Sequence, residues 1–96
     1  MNIVKPAVAG TLESSDIRVT VEPAEEDVTI ELESSVKEQF GRQIESVIRQ
    51  TLEELGVRSA TVIAVDKGAL DCTVRARVEA AVFRACEEPT SWEVFP

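Results

Sequence analysis

Two adjacent hydroxyls stand in a short polar break near the start of the chain, Gly10–Thr11–Leu12–Glu13–Ser14–Ser15–Asp16. An apolar run, Ala7–Val8–Ala9, precedes the break, and an alternating one, Ile17, Val19 and Val21, follows it. This pattern predicts the tip of a β-hairpin, where a side chain stands in water with little steric cover. A serine held there can take a covalent modification. Ser and Asp are also ordinary turn residues, so local chemistry alone favours a plain solvated turn. A serine hydroxyl is a weak nucleophile without a base. Any modification of Ser14 or Ser15 therefore needs a separate enzyme to supply that base.

The rest of the chain offers little for catalysis. It has no histidine and no tyrosine. That excludes His-dependent triads, the commonest general base near neutral pH and the commonest zinc ligand. The sequence holds no Gly-rich phosphate loop and no metal-ligand spacing. Glu25 and Glu26 are paired carboxylates, but they lie in an acidic, solvated run and not in a cleft. Cys72 and Cys86 are 14 positions apart. On one helix they lie about 21 Å apart along the axis, against the roughly 7 Å between Cα atoms that a disulfide tolerates. They read as reduced thiols, in keeping with the cytoplasm. Each reads as a small core residue before a reactive one.

The elements that position the hydroxyls follow from periodicity. Residues 7–12 form a first, weak strand. Residues 17–22 alternate, with Ile17, Val19 and Val21 on one face, and residues 28–33 repeat the pattern with Val28, Ile30 and Leu32. Period two of this kind means strands buried on one side. Pro23 and the acids up to Asp27 read as a hairpin loop between them. Leu-Glu-Ser-Ser occurs at 12–15 and again at 32–35. The second copy has a structural task, because Ser35 with Glu38 makes a capping box. It opens a helix over about 36–55, with Val36, Phe40, Ile44, Val47, Ile48, Leu52 and Leu55 on one face and Gly56 at its end. Residues 60–65 are apolar without alternation and read as an interior strand. A second helix spans about 70–86, with Leu70, Val74, Val78, Val82 and Ala85 in line. Arg75, Arg77 and Arg84 lie off that line and read as solvating charges, with contact to a partner or a phosphate as the other reading. The order is β-β-β-α-β-α, an α+β fold in which an antiparallel sheet carries two helices on one face.

Ninety-six residues make one domain with a modest core. A tail at 88–96, able to move, carries Trp92 and Phe95, which can pack on the sheet or dock on a partner. The net charge is −8, and residues 13–33 hold eight acids against one base, Arg18. Such a face repels nucleic acid and anionic membranes and can meet a basic patch on a protein. It equally serves as a solvated surface. No apolar stretch approaches the roughly 20 residues needed to cross a bilayer. The N-terminus lacks the order of a secretory signal. The expectation is a soluble cytoplasmic protein.

Pro6–Ala7–Val8–Ala9–Gly10–Thr11–Leu12–Glu13–Ser14 resembles the N-terminus of the acyl carrier proteins, or gamma subunits, of citrate lyase. A second block, Asp66–Lys67–Gly68–Ala69–Leu70–Asp71–Cys72 followed by Arg75–Ala76–Arg77, resembles that family too, as does Trp92 near the C-terminus. The resemblance runs over nearly the whole chain. It implies that Ser14 is the attachment point of a 2'-(5''-phosphoribosyl)-3'-dephospho-CoA arm. The arm is joined by a phosphodiester and ends in a thiol that carries acetyl. The family has Gly after the modified serine, whereas this chain has Ser15. That makes the turn less permissive at positive φ and leaves Ser15 as the runner-up.

The implied partners are the alpha (acyl transferase) and beta (citryl lyase) subunits of citrate lyase and a prosthetic-group transferase. The chain is then a non-catalytic carrier whose thioester exchanges acetyl for citryl, and citryl is cleaved to oxaloacetate and acetyl-carrier. Glu13 and Asp16 flank the serines and are expected to repel the arm's phosphates. One alternative is the carrier subunit of malonate decarboxylase, although the Asp66–Cys72 block favours citrate lyase. A phosphopantetheine carrier of the helical-bundle kind bears Asp-Ser-Leu, which is absent here. A third alternative is an unmodified acidic interaction module.

Overall fold

Alternating apolar residues build the sheet. The structure, a computed structural model, describes residues 1–35 and 37–86, without the side chains of Lys37 and Glu38. The Glu38 half of the capping box and the tail with Trp92 and Phe95 lie outside the described residues. Four strands form, β1 (Ala7–Ala9), β2 (Ile17–Glu22), β3 (Val28–Ser34) and β4 (Ala60–Asp66), with helices α1 (Lys37–Glu54) and α2 (Asp71–Ala85). The α+β class and the β-β-β-α-β-α order are as the sequence predicts.

The sheet runs β1-β2-β4-β3. β1 pairs antiparallel with β2, and β2 with β4, but β3 and β4 are parallel. The sheet is therefore mixed rather than wholly antiparallel. The reason is the helix between those two strands: α1 carries the chain back across one face, which is how parallel neighbours are connected. β4 also separates β2 from β3. Residues 23–27 thus span an intervening strand, roughly 10 Å at ordinary strand spacing, and are not a hairpin loop. Two alternating strands around a Pro-led polar run carry a hairpin signal. The apolar run at 60–66 wins the central place instead.

The helices cover one face. Ile17, Val19 and Val21 of β2 and Val62 of β4 are fully buried against Ile48 of α1 and Val74, Val78 and Val82 of α2. Each buried side chain of this kind contributes about 1.5–3 kcal/mol. α1 ends in a Schellman motif, with Gly56 donating to the Glu53 carbonyl and Val57 to that of Leu52. Phe40 departs from the predicted helix face. It is 52% exposed and lines a surface cavity beside the β4–α2 connection. Along the outer strand β3, Thr29, Glu31 and Glu33 point to solvent. At the opposite margin, the Arg84 guanidinium donates to the Val8 carbonyl of β1 at 2.7 Å.

Two glycines have the same backbone conformation and different surroundings. Gly10 (φ +93°) and Gly68 (φ +92°) both occupy left-handed space. A Cβ on Gly10 would stand 1.8 Å from the Ile17 carbonyl oxygen, whereas one on Gly68 meets nothing within 4 Å. Gly68→Ala is predicted to cost about 1–2 kcal/mol from backbone strain alone. Gly10→Ala should cost distinctly more, because two backbone segments must part. Urea denaturation of the two variants side by side measures the difference.

Candidate functional site

The site is organised by Asp16, the last residue before β2. Its Oδ2 accepts from the Thr11 hydroxyl at 2.6 Å and the Thr11 N–H at 3.1 Å. Its Oδ1 accepts from the Ile17 N–H at 2.7 Å. Arg77 of α2 closes the arrangement as a two-pronged donor, Nε to Oδ1 and Nη2 to Oδ2, both at 3.0 Å. The Thr11 hydroxyl also accepts from the Glu13 N–H, and the Asp16 N–H donates to the Glu13 carbonyl. These bonds fold residues 11–16 into one fixed loop. The Arg77 bonds, then the Thr11 hydroxyl, hold the Asp16 carboxyl well below the usual carboxylate range, outweighing the rise that burial causes.

A second loop braces the first. The Ser15 N–H donates to the Lys67 carbonyl, and the Lys67 N–H to the Asp16 carbonyl, each at 2.8 Å. The β2–β4 ladder thus continues past the strand ends. Asp66, 1% exposed, shapes the bracing turn. It accepts from the Ser34 hydroxyl at 2.8 Å and from the Gly68 and Ala69 N–H groups at 3.0 and 2.9 Å. The two blocks that stand far apart in sequence are one site in space.

On this frame Ser14 and Ser15 are both exposed. Ser15 has φ +67°, in the left-handed region that favours glycine. The resemblance places Gly at this position, and the positive φ held here by Ser15 is one that glycine adopts without strain. Of the two acids expected to flank the serines as free charges, Glu13 is exposed and Asp16 is neutralised by Arg77. Asp16 therefore builds the loop rather than repelling a phosphate.

The α2 arginines are not idle solvating charges either. Arg77 holds Asp16, Arg84 holds β1, and Arg75 pairs with Glu54 of α1 and Glu79 of its own helix. Spacing within α2 shows only that these residues lie off the buried line. The partner of Arg77, Asp16, stands 61 residues away, and that of Arg84, the Val8 carbonyl, 76. Cys72 and Cys86 are free thiols, Cys86 half-buried and Cys72 exposed. Cys72 lies on the first turn of α2, away from the Val74–Val78–Val82 face, so it is not the core residue expected of a helical cysteine.

Both helices begin at this end of the molecule. Ser34 and Asp66 are in register at the ends of β3 and β4, and α1 and α2 start a few residues beyond. Their N-terminal dipole ends favour anions close by.

The model of the family described as malonate decarboxylase delta subunit (MdcD) matches residues 4–85. A citrate lyase acyl carrier protein of Streptococcus uberis is 56% identical over 98% of this chain and all of its own length. Its counterpart in Lacticaseibacillus casei is 57% identical, covering 97% of this chain and 93% of its own. That of Haemophilus influenzae is 55% identical over 97% of both. Among solved structures, a Pseudomonas malonate decarboxylase hetero-tetramer in complex with malonate contains a chain of the same fold. That chain has a TM-score of 0.68 and 19% identity, over 88% of this chain and 92% of its own. Fold and sequence together define the class as a small α+β acyl carrier. The chain belongs to the family of the citrate lyase acyl carrier proteins, as its two motifs imply.

Two outcomes follow from the loop. Folding lowers the Asp16 pKa, so the stability it adds is complete above the unfolded carboxylate value of about 3.9 and is lost as pH falls below it. Asp16→Asn should cost about 2 kcal/mol at pH 7, the scale of bonds to a charged group. It should also flatten the acid-side decline, as urea titrations from about pH 7 to pH 2 would show. Ser15→Gly should gain about 0.5 kcal/mol: it relieves about 1 kcal/mol of left-handed strain and gives back part as glycine's entropy. Thermal melting compared with the parent chain tests the gain.

Proposed function

We propose that this chain is the acyl carrier subunit of citrate lyase and carries its prosthetic arm on the Ser14 hydroxyl. The observation that carries the reading is an exposed serine on a loop fixed from both sides, by Asp16 with Arg77 and by the Ser15–Lys67 bond. A carrier needs one accessible oxygen on a rigid body that partner enzymes can grip. The loop provides it without a general base, which leaves activation of the serine to a transferase.

The group proposed for Ser14 is 2'-(5''-phosphoribosyl)-3'-dephospho-CoA in phosphodiester linkage. Its terminal thiol supplies a thioester, which activates acetyl and citryl for exchange and cleavage. The chain's surroundings suit such a group: the hydroxyl is in solvent, and two helix N-termini lie at the same end, where phosphate is favoured. The scaffold's part is to hold the attachment point still and leave the arm free. Tethering then raises the acyl group's effective concentration at each partner's active site.

The partners in this reading are the alpha and beta subunits of citrate lyase and the transferase that installs the arm. The chain itself is non-catalytic within the complex. Its acidic segment 13–33 disfavours nucleic acid and anionic membranes. No helix among the described residues is long and apolar enough to cross a membrane, and the proposed location is the cytoplasm. The malonate decarboxylase carrier remains the second reading, supported by the matching family description and by the solved chain of the same fold.

Intact mass of the protein purified from its native host, followed by peptide mapping, tests the assignment. The expected result is the mass of the arm on the peptide containing Ser14. It should be lost in Ser14→Ala and kept in Ser15→Ala. An unmodified native chain would overturn the reading, and retention in Ser14→Ala with loss in Ser15→Ala would move the site by one residue.

A further inference from the structure

A surface cavity of about 660 Å³ opens between α1 and the start of α2. Phe40, Ile44, Ala69 and Leu70 form its apolar lining. Two of them are conspicuous on a domain this small: Phe40 is 52% exposed and Leu70 71%. The volume is within the range of small-molecule sites, roughly 300–1,000 Å³. At its margin the Gln43 amide donates to the Asp71 carboxylate at 2.8 Å, a polar pair able to meet an amide. Cys72, also in the lining, is an exposed free thiol.

The cavity lies beside the turn that braces the serine loop. Ser15 is bonded to the Lys67 carbonyl, and the next residue, Gly68, lines the cavity. One interstrand step and one peptide step put the Gly68 Cα within about 9 Å of that of Ser15. The geometry points to this cavity as the resting place of the acyl-bearing end of the arm, an inference that rests on the arm being carried by Ser14. The terminal segment of a coenzyme A arm is uncharged and built of methylenes, amides and a thioester. That chemistry matches a cavity with aliphatic and aromatic walls and one polar pair at the rim. Tethering keeps the arm's own end near the cavity, and the arm is long enough to fold back over this distance, so modest affinity suffices for docking. Docking covers Phe40 and Leu70 and takes the thioester out of bulk water between transfers.

Cys72 reports on occupancy. Loaded protein, with its arm thiol acetylated and the arm's mass confirmed on the Ser14 peptide, is compared with the unloaded chain. Iodoacetamide is the probe, and the rate is read by peptide mapping at Cys72. The expected result is a rate at least threefold slower in the loaded protein. In Leu70→Glu and in Phe40→Ser, each compared loaded against unloaded, the ratio should return to about one. Both side chains are exposed, so neither change removes core packing. Equal rates in loaded and unloaded wild-type protein would overturn the resting place and leave the carrier reading intact. A slow rate that persists in both loaded variants would overturn it as well. An arm mass missing from native protein defeats the carrier reading itself.

Discussion

The Asp16 carboxylate collects five donors from Thr11, Ile17 and Arg77, and through them it joins three parts of the molecule. Thr11 belongs to the serine loop, Ile17 begins a core strand, and Arg77 projects from a helix that packs on the sheet. The Asp16 side chain is 13% exposed and that of Arg77 39%, and with water still reaching the arginine, ion-pair attraction is the smaller part of its value. The larger part is geometric. A loop with no apolar anchor of its own borrows order from the core through one side chain. Ser14 is then presented outward on a backbone that does not need to collapse inward to be stable.

The strands and helices were legible because each has one buried face. Ile17–Val19–Val21 and Ile44–Ile48–Leu52 announce their periods, and their observed bounds fall within a few residues of those read from the sequence. The pairing was not legible. Alternation says which side of a strand is buried and nothing about its neighbour. The central place of β4 depends on how α1 crosses the sheet, which no local pattern records. Phe40 illustrates the same limit within a helix. It shares a row with Ile44, yet it is 52% exposed and lines a surface cavity rather than the core.

The serines were legible as a polar break between two strands and through their resemblance to a known motif. Their support was not. Asp16 and Arg77 are separated by 61 positions, and the Asp66 turn is built from a carboxylate that looks, in sequence, like an ordinary loop acid. The second block was visible as a resemblance, but its task of bracing the serine loop was not. A run such as Asp66–Lys67–Gly68 followed by Arg77 has no chemistry until the hairpin loop is laid against it.

The outer strand β3 has a consequence for crowding. Among the described residues no further strand pairs along its outer side, and an open edge of that kind is a template for a second copy. Were two such edges to zip together antiparallel, Glu31 and Glu33 of each would crowd onto one surface as opposed like charges, which is unfavourable. Where a multi-subunit assembly holds many of these domains at high local density, that repulsion keeps neighbours separate and discourages them from growing into a shared ribbon.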